Sequence, residues 1–525
     1  MPRAVAAVFV GVTKKNGKEK EWIPACAGMT KNRKGEKKKK ERKHGRDAHA
    51  THGQDAHATL AAWAGLDILA GDMSKVSENS SVGSGLGSGP GSGSSLAGLR
   101  VTVVGLGRFG GGLGAASWLC GQGARVTVSD MARADSLGDS VRQLAELGAE
   151  LHLGSHERAD FLQADLLVVN PAVPKDMPLL VEAERAGVGR TSEINLFLQR
   201  CPAPVVGITG SVGKSTTTVM VGEILGTSRA VHVGGNIGKS LLGELPAIKP
   251  SHAVVLELSS FQLEDTPIVG ISPAVALVTN VFENHLDRYA GSLQAYADAK
   301  KNIFRFQGPD DVLILNRRCE LTAGWAAETP SRVDWFDPQA EPVELALPGQ
   351  HNQANAQGAL AVAKHFDIDR PEALAALARV RSLPHRLEFV GEIDGVRFFN
   401  DSKCTTPAGA VVALESFQPG RCVILMGGYD KAVNFDALGA KAAGQAKGVV
   451  AFGQTGGAII SAVRRNAKPG QAPALAEAAD LSEAVKVAKT LAKPGDVILL
   501  SPACASYDQF DNYQRRGEMF AKLVL

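Results

Sequence analysis

One pattern constrains the fold more than any other. Short runs of Val, Ile and Leu each end on a glycine or small polar cluster and lead into a helix-compatible stretch. RVTVVGLG (100–107) and RVTVSD (125–130) open the series. VVGIT (205–209), AVVLELSS (253–260), AVALVTN (274–280) and DVLILN (311–316) continue it, and CVILMGG (422–428), GVVAFG (448–453) and DVILLSP (496–502) close it. Continuous apolar runs of this length read as buried strands, and strand, tight turn and helix in alternation predict α/β domains with parallel sheets. Such sheets place ligands beyond the carboxyl ends of their strands, where the glycine and polar clusters fall here. The 525 residues suffice for three ordinary domains, each with its own core.

The first 95 residues differ from the rest. They hold a basic run, KNRKGEKKKKERK, a duplicated DAHAT and a Gly/Ser linker, too little apolar surface to fold. This segment is expected to be a disordered extension. It reads as a nucleic-acid or membrane tether, or as a leader upstream of a true start at Met73, the second being the reading adopted. The formal charge of +3 is local to it, since residues 1–46 carry 15 Lys/Arg against 4 Glu and the remainder 42 basic against 50 acidic. A mildly acidic body gives no footing for nucleic acid. Seven scattered cysteines without CxxC fit a reducing cytoplasm. AVAAVFVGV after Arg3 superficially resembles a signal h-region, but lysines follow it and no run reaches the roughly 20 apolar residues of a membrane span.

The chemistry concentrates in a few motifs. In GITGSVGKSTT (207–217) a strand enters a glycine loop whose amides can face phosphate oxygens before a helix begins near Lys214. Lys214 would neutralise β and γ phosphate charge, and Ser215 or Thr216 would ligate magnesium. Strict Walker spacing fails, because Ile208 stands where the first glycine belongs. GLGRFG (105–110) with Asp130 ending the next strand matches a dinucleotide fingerprint, a weak signal in a chain with a second nucleotide loop. ELSSFQLE (257–264) sets Glu257 at a strand end, suited to a magnesium ligand, and NHLDRY (284–289) sets His285 past the next strand. At helical spacing Leu293, Tyr296, Lys300 and Ile303 share a face, so Lys300 must snorkel, pair or be modified there, while Lys301 points elsewhere. DSKCTTP (401–407), GGYDK (427–431) and SPACASYDQFDNYQRRG (501–517) are polar loops at strand ends, suited to carboxylate recognition or to capping helices.

Together with GGNIG (234–238), LPGQHNQANAQGAL (347–360) and LPHR (383–386), these motifs resemble the Mur ligases of peptidoglycan synthesis over residues 98–525. ELSSFQLE and SPACASYDQF are similar to the branch that adds D-glutamate. The resemblance implies an α/β chain of three domains: Rossmann-like (96–200), central P-loop ATPase-like (201–383) and C-terminal Rossmann-like (384–525), after the 1–95 extension. It implies a cytoplasmic, monomeric enzyme that uses ATP and Mg2+ to phosphorylate the carboxylate of UDP-N-acetylmuramoyl-L-alanine, which D-glutamate then attacks. Gly107, Arg108, Phe109 and Asp130 would line the uracil nucleotide, and Asn236 and Ser259 would touch the muramoyl side. Gly210, Ser211, Val212, Gly213, Lys214, Ser215 and Thr216 would wrap the ATP phosphates. Asn352, Arg386 and Asp401 would meet adenine and ribose. Ser215, Glu257, His285 and Lys300 would serve the metal, with Lys300 as a carbamate, and Lys214, Glu257, His285 and Lys300 would form the catalytic set. Lys403, Thr405, Lys431, Ser506 and Tyr513 would hold D-glutamate. Val212 and Thr406 stand where the family usually carries Asn. Another amide ligase of the superfamily, such as folylpolyglutamate synthase, is the alternative enzyme. A nucleotide-gated binding protein would need a broken catalytic set, and all four members are present.

Overall fold

The computed structural model describes residues 9–13, 20–24, 95–107, 110–470 and 472–525. Within the basic extension, β1 (Phe9–Thr13) and β2 (Lys20–Pro24) pair antiparallel. Met73, the DAHAT repeats and the run 31–43 lie outside the described residues.

Three sheets follow. The first holds β3 (Arg100–Val104), β4 (Arg125–Asp130), β5 (Glu150–Leu153), β6 (Leu166–Val169) and β7 (Gly189–Thr191) in the order β5-β4-β3-β6-β7, all parallel. The chain winds outward from β3 to β5, then returns to β6 beside β3. Winding therefore reverses between β3 and β6, the crevice where open parallel sheets bind ligands. The GLG turn after β3 and the Asn170–Val173 turn after β6 meet there: a Cβ on Gly105 would lie 2.9 Å from Val173 Cγ2, and one on Gly107 3.0 Å from Asn170 Nδ2.

The second sheet holds β8 (Val205–Thr209), β9 (Val231–Gly235), β10 (Ala253–Glu257), β11 (Val275–Val278), β12 (Val312–Asn316) and β13 (Arg332–Phe336), ordered β13-β12-β11-β8-β10-β9 and all parallel. Successive residues of a strand face opposite sides, and here both sides are buried. Val254 and Leu256 of β10 join one apolar cluster, while Ala253 and Val255 join another under the helix Gln350–Ala363. At roughly 1.5–3 kcal/mol per large aliphatic side chain buried, this two-sided burial fixes the sheet and with it the strand ends. β8 lies between β10 and β11, so the nucleotide loop has Glu257 on one flank and the Thr279–His285 segment on the other.

The third sheet holds β14 (Glu388–Ile393), β15 (Val396–Asn400), β16 (Cys422–Gly427), β17 (Gly448–Phe452), β18 (Ala474–Ala478) and β19 (Val497–Leu500), ordered β14-β15-β19-β16-β17-β18. Only β14 runs antiparallel, joined to β15 by a turn on Asp394 and Gly395, both at positive φ. β15, β19 and β16 are neighbours, which brings the DSKC, SPAC and GGYD loops to one edge. All nine strands expected from the sequence are present.

Candidate active site

The glycine loop is shaped by its neighbours. Gly210 (φ 149°) and Gly213 (φ 85°) sit where side chains do not fit: a Cβ would lie 2.0 Å from Thr279 Oγ1 and 2.3 Å from Asn355 Oδ1, respectively. Thr279 Oγ1 donates to the Val212 carbonyl (2.7 Å), and the Val212 N–H donates to Asn280 Oδ1 (3.0 Å). The Val212 side chain is thereby turned outward and exposed. Ser211 accepts from the Phe282 N–H and contacts the Tyr296 hydroxyl at 3.2 Å. Lys214 Nζ donates to the carbonyls of Gly210 (3.0 Å) and Ser211 (3.2 Å), so its charge stays inside the loop at the start of the helix Lys214–Leu225. Burial pushes its pKa down, opposed by the Glu257 carboxylate. Ser215 and Thr216 occupy the first turn of that helix.

Glu257 is 2% exposed at the end of β10. Its Oε1 accepts from Asn236 Nδ2 at 2.8 Å, while Oε2 is buried without a hydrogen-bond partner. A buried carboxylate oxygen left unpartnered costs free energy unless a cation or donor reaches it. His285 takes a left-handed backbone (φ 53°), and burial, then the Lys214 charge, push its pKa down, leaving a neutral imidazole able to ligate. Lys300 is 1% exposed; Nζ donates to the Gly210 carbonyl at 2.9 Å and lies over the Tyr296 ring. Burial, reinforced by the Lys214 charge, holds its pKa well below the ordinary lysine value. The buried stripe expected through Tyr296, Lys300 and Ile303 is present, and Lys301 turns away to pair with Glu328. Oxygen and imidazole donors beside a phosphate loop fit a hard divalent cation.

At the first sheet, Asp130 serves its own loops: one oxygen accepts from the N–H of Leu106 (2.7 Å) and Gly107 (3.4 Å), the other from Ala132 (2.7 Å). The carboxylate that a dinucleotide reading assigns to a ribose shapes the turn. Arg108 and Phe109 lie outside the described residues. Asn236 holds Glu257 rather than pointing away from it, and Ser259 caps the helix Ser260–Leu263 in a reciprocal box with Gln262.

The C-terminal groups approach the same place. Arg386 Nη2 donates to Ser215 Oγ at 3.1 Å, which puts it at the phosphate end of the nucleotide loop; its buried Nε is unpartnered. Asp401 accepts from Ser501 Oγ (2.8 Å) and the Leu387 N–H, and burial raises its pKa to about 7. Asn352 is buried, bonded to the Pro348 carbonyl and to Asn355. Lys403 lies over the Tyr513 ring at 5.5 Å, and burial, then the Arg386 charge, lower its pKa to about 8. Thr405 is half-buried beside it, Ser506 is buried, and Lys431 is exposed. Arg516, inside the 501–517 motif but given no role there, is fully buried and ties the loops together through Ser402 Oγ (3.0 Å), the Ser402 carbonyl (2.9 Å), Cys504 (3.0 Å) and Ala505 (3.3 Å).

Three family models match in order: a Mur ligase MurD-like N-terminal domain over 99–191, a Mur ligase middle domain over 208–337 and a Mur ligase, glutamate ligase domain over 385–504. A UDP-N-acetylmuramoylalanine--D-glutamate ligase of Symbiobacterium thermophilum is 40% identical over 453 residues, covering 81% of this chain and 97% of its own. One of Acidobacterium capsulatum is 38% identical over 458 residues, covering 82% and 97%. The chain belongs to the Mur ligase family. As a Mur ligase it is an ATP-dependent ligase of peptidoglycan synthesis. Solved Mur ligases share the fold: UDP-N-acetylmuramate-alanine ligase MurC of Thermotoga maritima (20% identity, 81% of this chain, 98% of that one, TM-score 0.54) and MurF of Acinetobacter baumannii (17%, 82% and 91%, TM-score 0.50).

Within this Mur ligase, Thr406 caps the helix Pro407–Glu415 by accepting from the Gly409 N–H, a task its hydroxyl performs as an amide would. Among the described residues no helix is long and apolar enough to cross a membrane.

Proposed function

We propose that this Mur ligase joins D-glutamate to UDP-N-acetylmuramoyl-L-alanine in the cytoplasm. One observation carries the active-site assignment: a nucleotide loop on β8 is flanked, from the adjacent strands, by a buried unpartnered carboxylate oxygen of Glu257 and by the neutral imidazole of His285. The choice of D-glutamate rests on relatives of that printed name at 36–40% identity along nearly their whole length. The six described cysteines are free, in keeping with a reducing compartment.

In the proposed reaction a carboxylate oxygen of the alanyl substrate attacks the γ-phosphorus of ATP and ADP leaves. The D-glutamate amine then attacks the acyl-phosphate carbon, the tetrahedral adduct collapses, and phosphate departs with the proton passing to solvent or base. The amides of residues 210–216 cradle the phosphates, and Lys214 exchanges its loop carbonyls for phosphate oxygens. Glu257, His285 and Ser215 would hold Mg2+, with Arg386 yielding the Ser215 hydroxyl. Bound there, Mg2+ would neutralise phosphate charge and polarise the transferring group. Lys300, its pKa pushed down by burial, is suited to take up CO2 as a carbamate with loss of a proton, turning a buried amine into an anion beside the loop. Gly107 and the turn shaped by Asp130 would receive the uridine nucleotide. Asn236 and Ser259 face the muramoyl arm, Asn352 and Asp401 the adenosine. Lys403 and Lys431 would pair the carboxylates of D-glutamate, with Thr405, Ser506 and Tyr513 around it.

The test is phosphate release with ATP, UDP-N-acetylmuramoyl-L-alanine and a panel of amino acids. D-glutamate is expected to support turnover. Turnover with meso-diaminopimelate and none with D-glutamate would overturn the assignment.

A further inference from the structure

Arg288 takes no part in the chemistry above, yet it occupies an unusual position. Its Nη2 donates to the carbonyls of Pro171 (3.0 Å) and Val173 (3.5 Å), and its Nη1 to that of Ala172 (3.3 Å). All three belong to the turn after β6 that lies on the positive-φ glycines of the first nucleotide loop, Gly105 and Gly107. The same guanidinium lies over the Phe261 ring, with its carbon 4.7 Å from the centroid. Phe261 in turn packs edge-on against the His285 imidazole, ring centres 5.3 Å apart. Glu264 completes the arrangement, 3.6 Å from Arg288 and accepting from the Tyr289 hydroxyl at 2.6 Å.

We propose that Arg288 is a positioning residue that fixes two sites at once: the turn covering the uridine-nucleotide loop, and, through Phe261, the imidazole of His285. The physical reason lies in the fork of the guanidinium. Its planar face stacks on an aromatic ring while its edge donates to several carbonyls, a combination an ammonium cannot reproduce. His285 needs such support because its left-handed backbone is strained for a non-glycine residue and persists only where surrounding contacts hold it. The inference rests on the proposed function, which places the uridine nucleotide and the cation at these two sites.

The experiment measures binding, not turnover. UDP-N-acetylmuramoyl-L-alanine is titrated calorimetrically without metal, and Mn2+ is titrated by electron paramagnetic resonance with a non-hydrolysable ATP analogue. The full chain is compared with Arg288→Ala, Arg288→Lys and Phe261→Leu, each checked by circular dichroism for folding. Arg288→Ala is expected to weaken both ligands, Mn2+ by about 10- to 100-fold, the usual effect of removing a group that orients a metal ligand. Arg288→Lys should recover only part of either. Phe261→Leu keeps the carbonyl contacts but removes the ring, so it should weaken Mn2+ and leave the UDP-substrate within about twofold, a split that general loosening does not produce. If Arg288→Ala fails to fold, Arg288→Lys and Phe261→Leu decide alone. Unchanged Mn2+ affinity in Phe261→Leu, or equal losses of both ligands in it, would overturn the proposal. A wild-type chain that binds neither ligand would instead sink the assigned function.

Discussion

Arg516→Met separates a loop-positioning role from a structural one. Among the described residues, two of the carbonyls held by Arg516, those of Ser402 and Cys504, accept only from it, whereas the Ala505 carbonyl also accepts from the Tyr429 N–H. Methionine fills a similar volume but donates nothing. Orphaning two buried carbonyls costs about 4 kcal/mol at roughly 1–3 each. Against this, burial already lowers the Arg516 pKa from 12.5 to about 10. That shift, the net of burial and nearby negative charge, corresponds to about 3 kcal/mol of penalty that the variant no longer bears. The net loss of stability should therefore be about 1 kcal/mol. Function should suffer more, because the DSKC and SPAC loops lose their common tie. The KM for D-glutamate should rise roughly tenfold or more, each tenfold being about 1.4 kcal/mol of lost loop placement. The KM for ATP should stay within about twofold. No tryptophan follows Trp335, so tryptophan fluorescence cannot follow this domain. Hydrogen exchange in peptides spanning 398–406 and 497–506 reports its stability instead, and phosphate release reports the kinetics. Wild-type KM for D-glutamate, or destabilisation above about 4 kcal/mol with KM unchanged, would refute the reasoning.

Three further outcomes are expected. Lys300→Ala should lose most activity and regain part of it with short carboxylic acids; full activity in the mutant would defeat the carbamate. Val212→Asn should leave ATP affinity within about twofold, because the side chain points outward, while Asn280→Ala frees the Val212 backbone and should weaken ATP roughly tenfold; nucleotide titration checks both. Asp401 holds its proton up to about pH 7, against 3.8 for an ordinary side chain. The folded protein thus binds more protons than the unfolded chain between about pH 4 and 7, so stability falls as pH rises through that window. Asp401→Asn should flatten this decline in denaturant titrations run across it.

The strands at the heart of each sheet were legible because burial on both faces leaves an unbroken apolar run, as in Val206 to Ile208 and Val423 to Leu425. The edge strands β13, RVDWF, and β18, ALAEA, carry polar residues on their open face, and no such run marks them. The β14–β15 hairpin did carry a signal in the Asp394–Gly395 pair, which takes positive φ at both positions. Lys300 was readable from its apolar neighbours at helical spacing. Arg516 was not, because it acts on backbone carbonyls 12 and 114 residues away, and carbonyls leave no trace in sequence. Asp130 was ambiguous for a related reason. A carboxylate at a strand end suits a ribose or the amides of the adjacent turn equally well, and only the folded turn shows that Leu106, Gly107 and Ala132 occupy it.

The place of β19 has a consequence for how the protein is made. This strand is the last in sequence yet sits mid-sheet, between β15 and β16, with the helix Tyr513–Val524 behind it and Phe520 fully buried. A chain growing from the ribosome can complete its first two sheets while synthesis continues. The third must wait for residue 500, with β15 and β16 held apart by a strand not yet translated. Until β19 is made the nascent enzyme has a finished nucleotide loop and no closed partner for it, and any premature stop before β19 leaves two apolar strand edges exposed to chaperones and proteases.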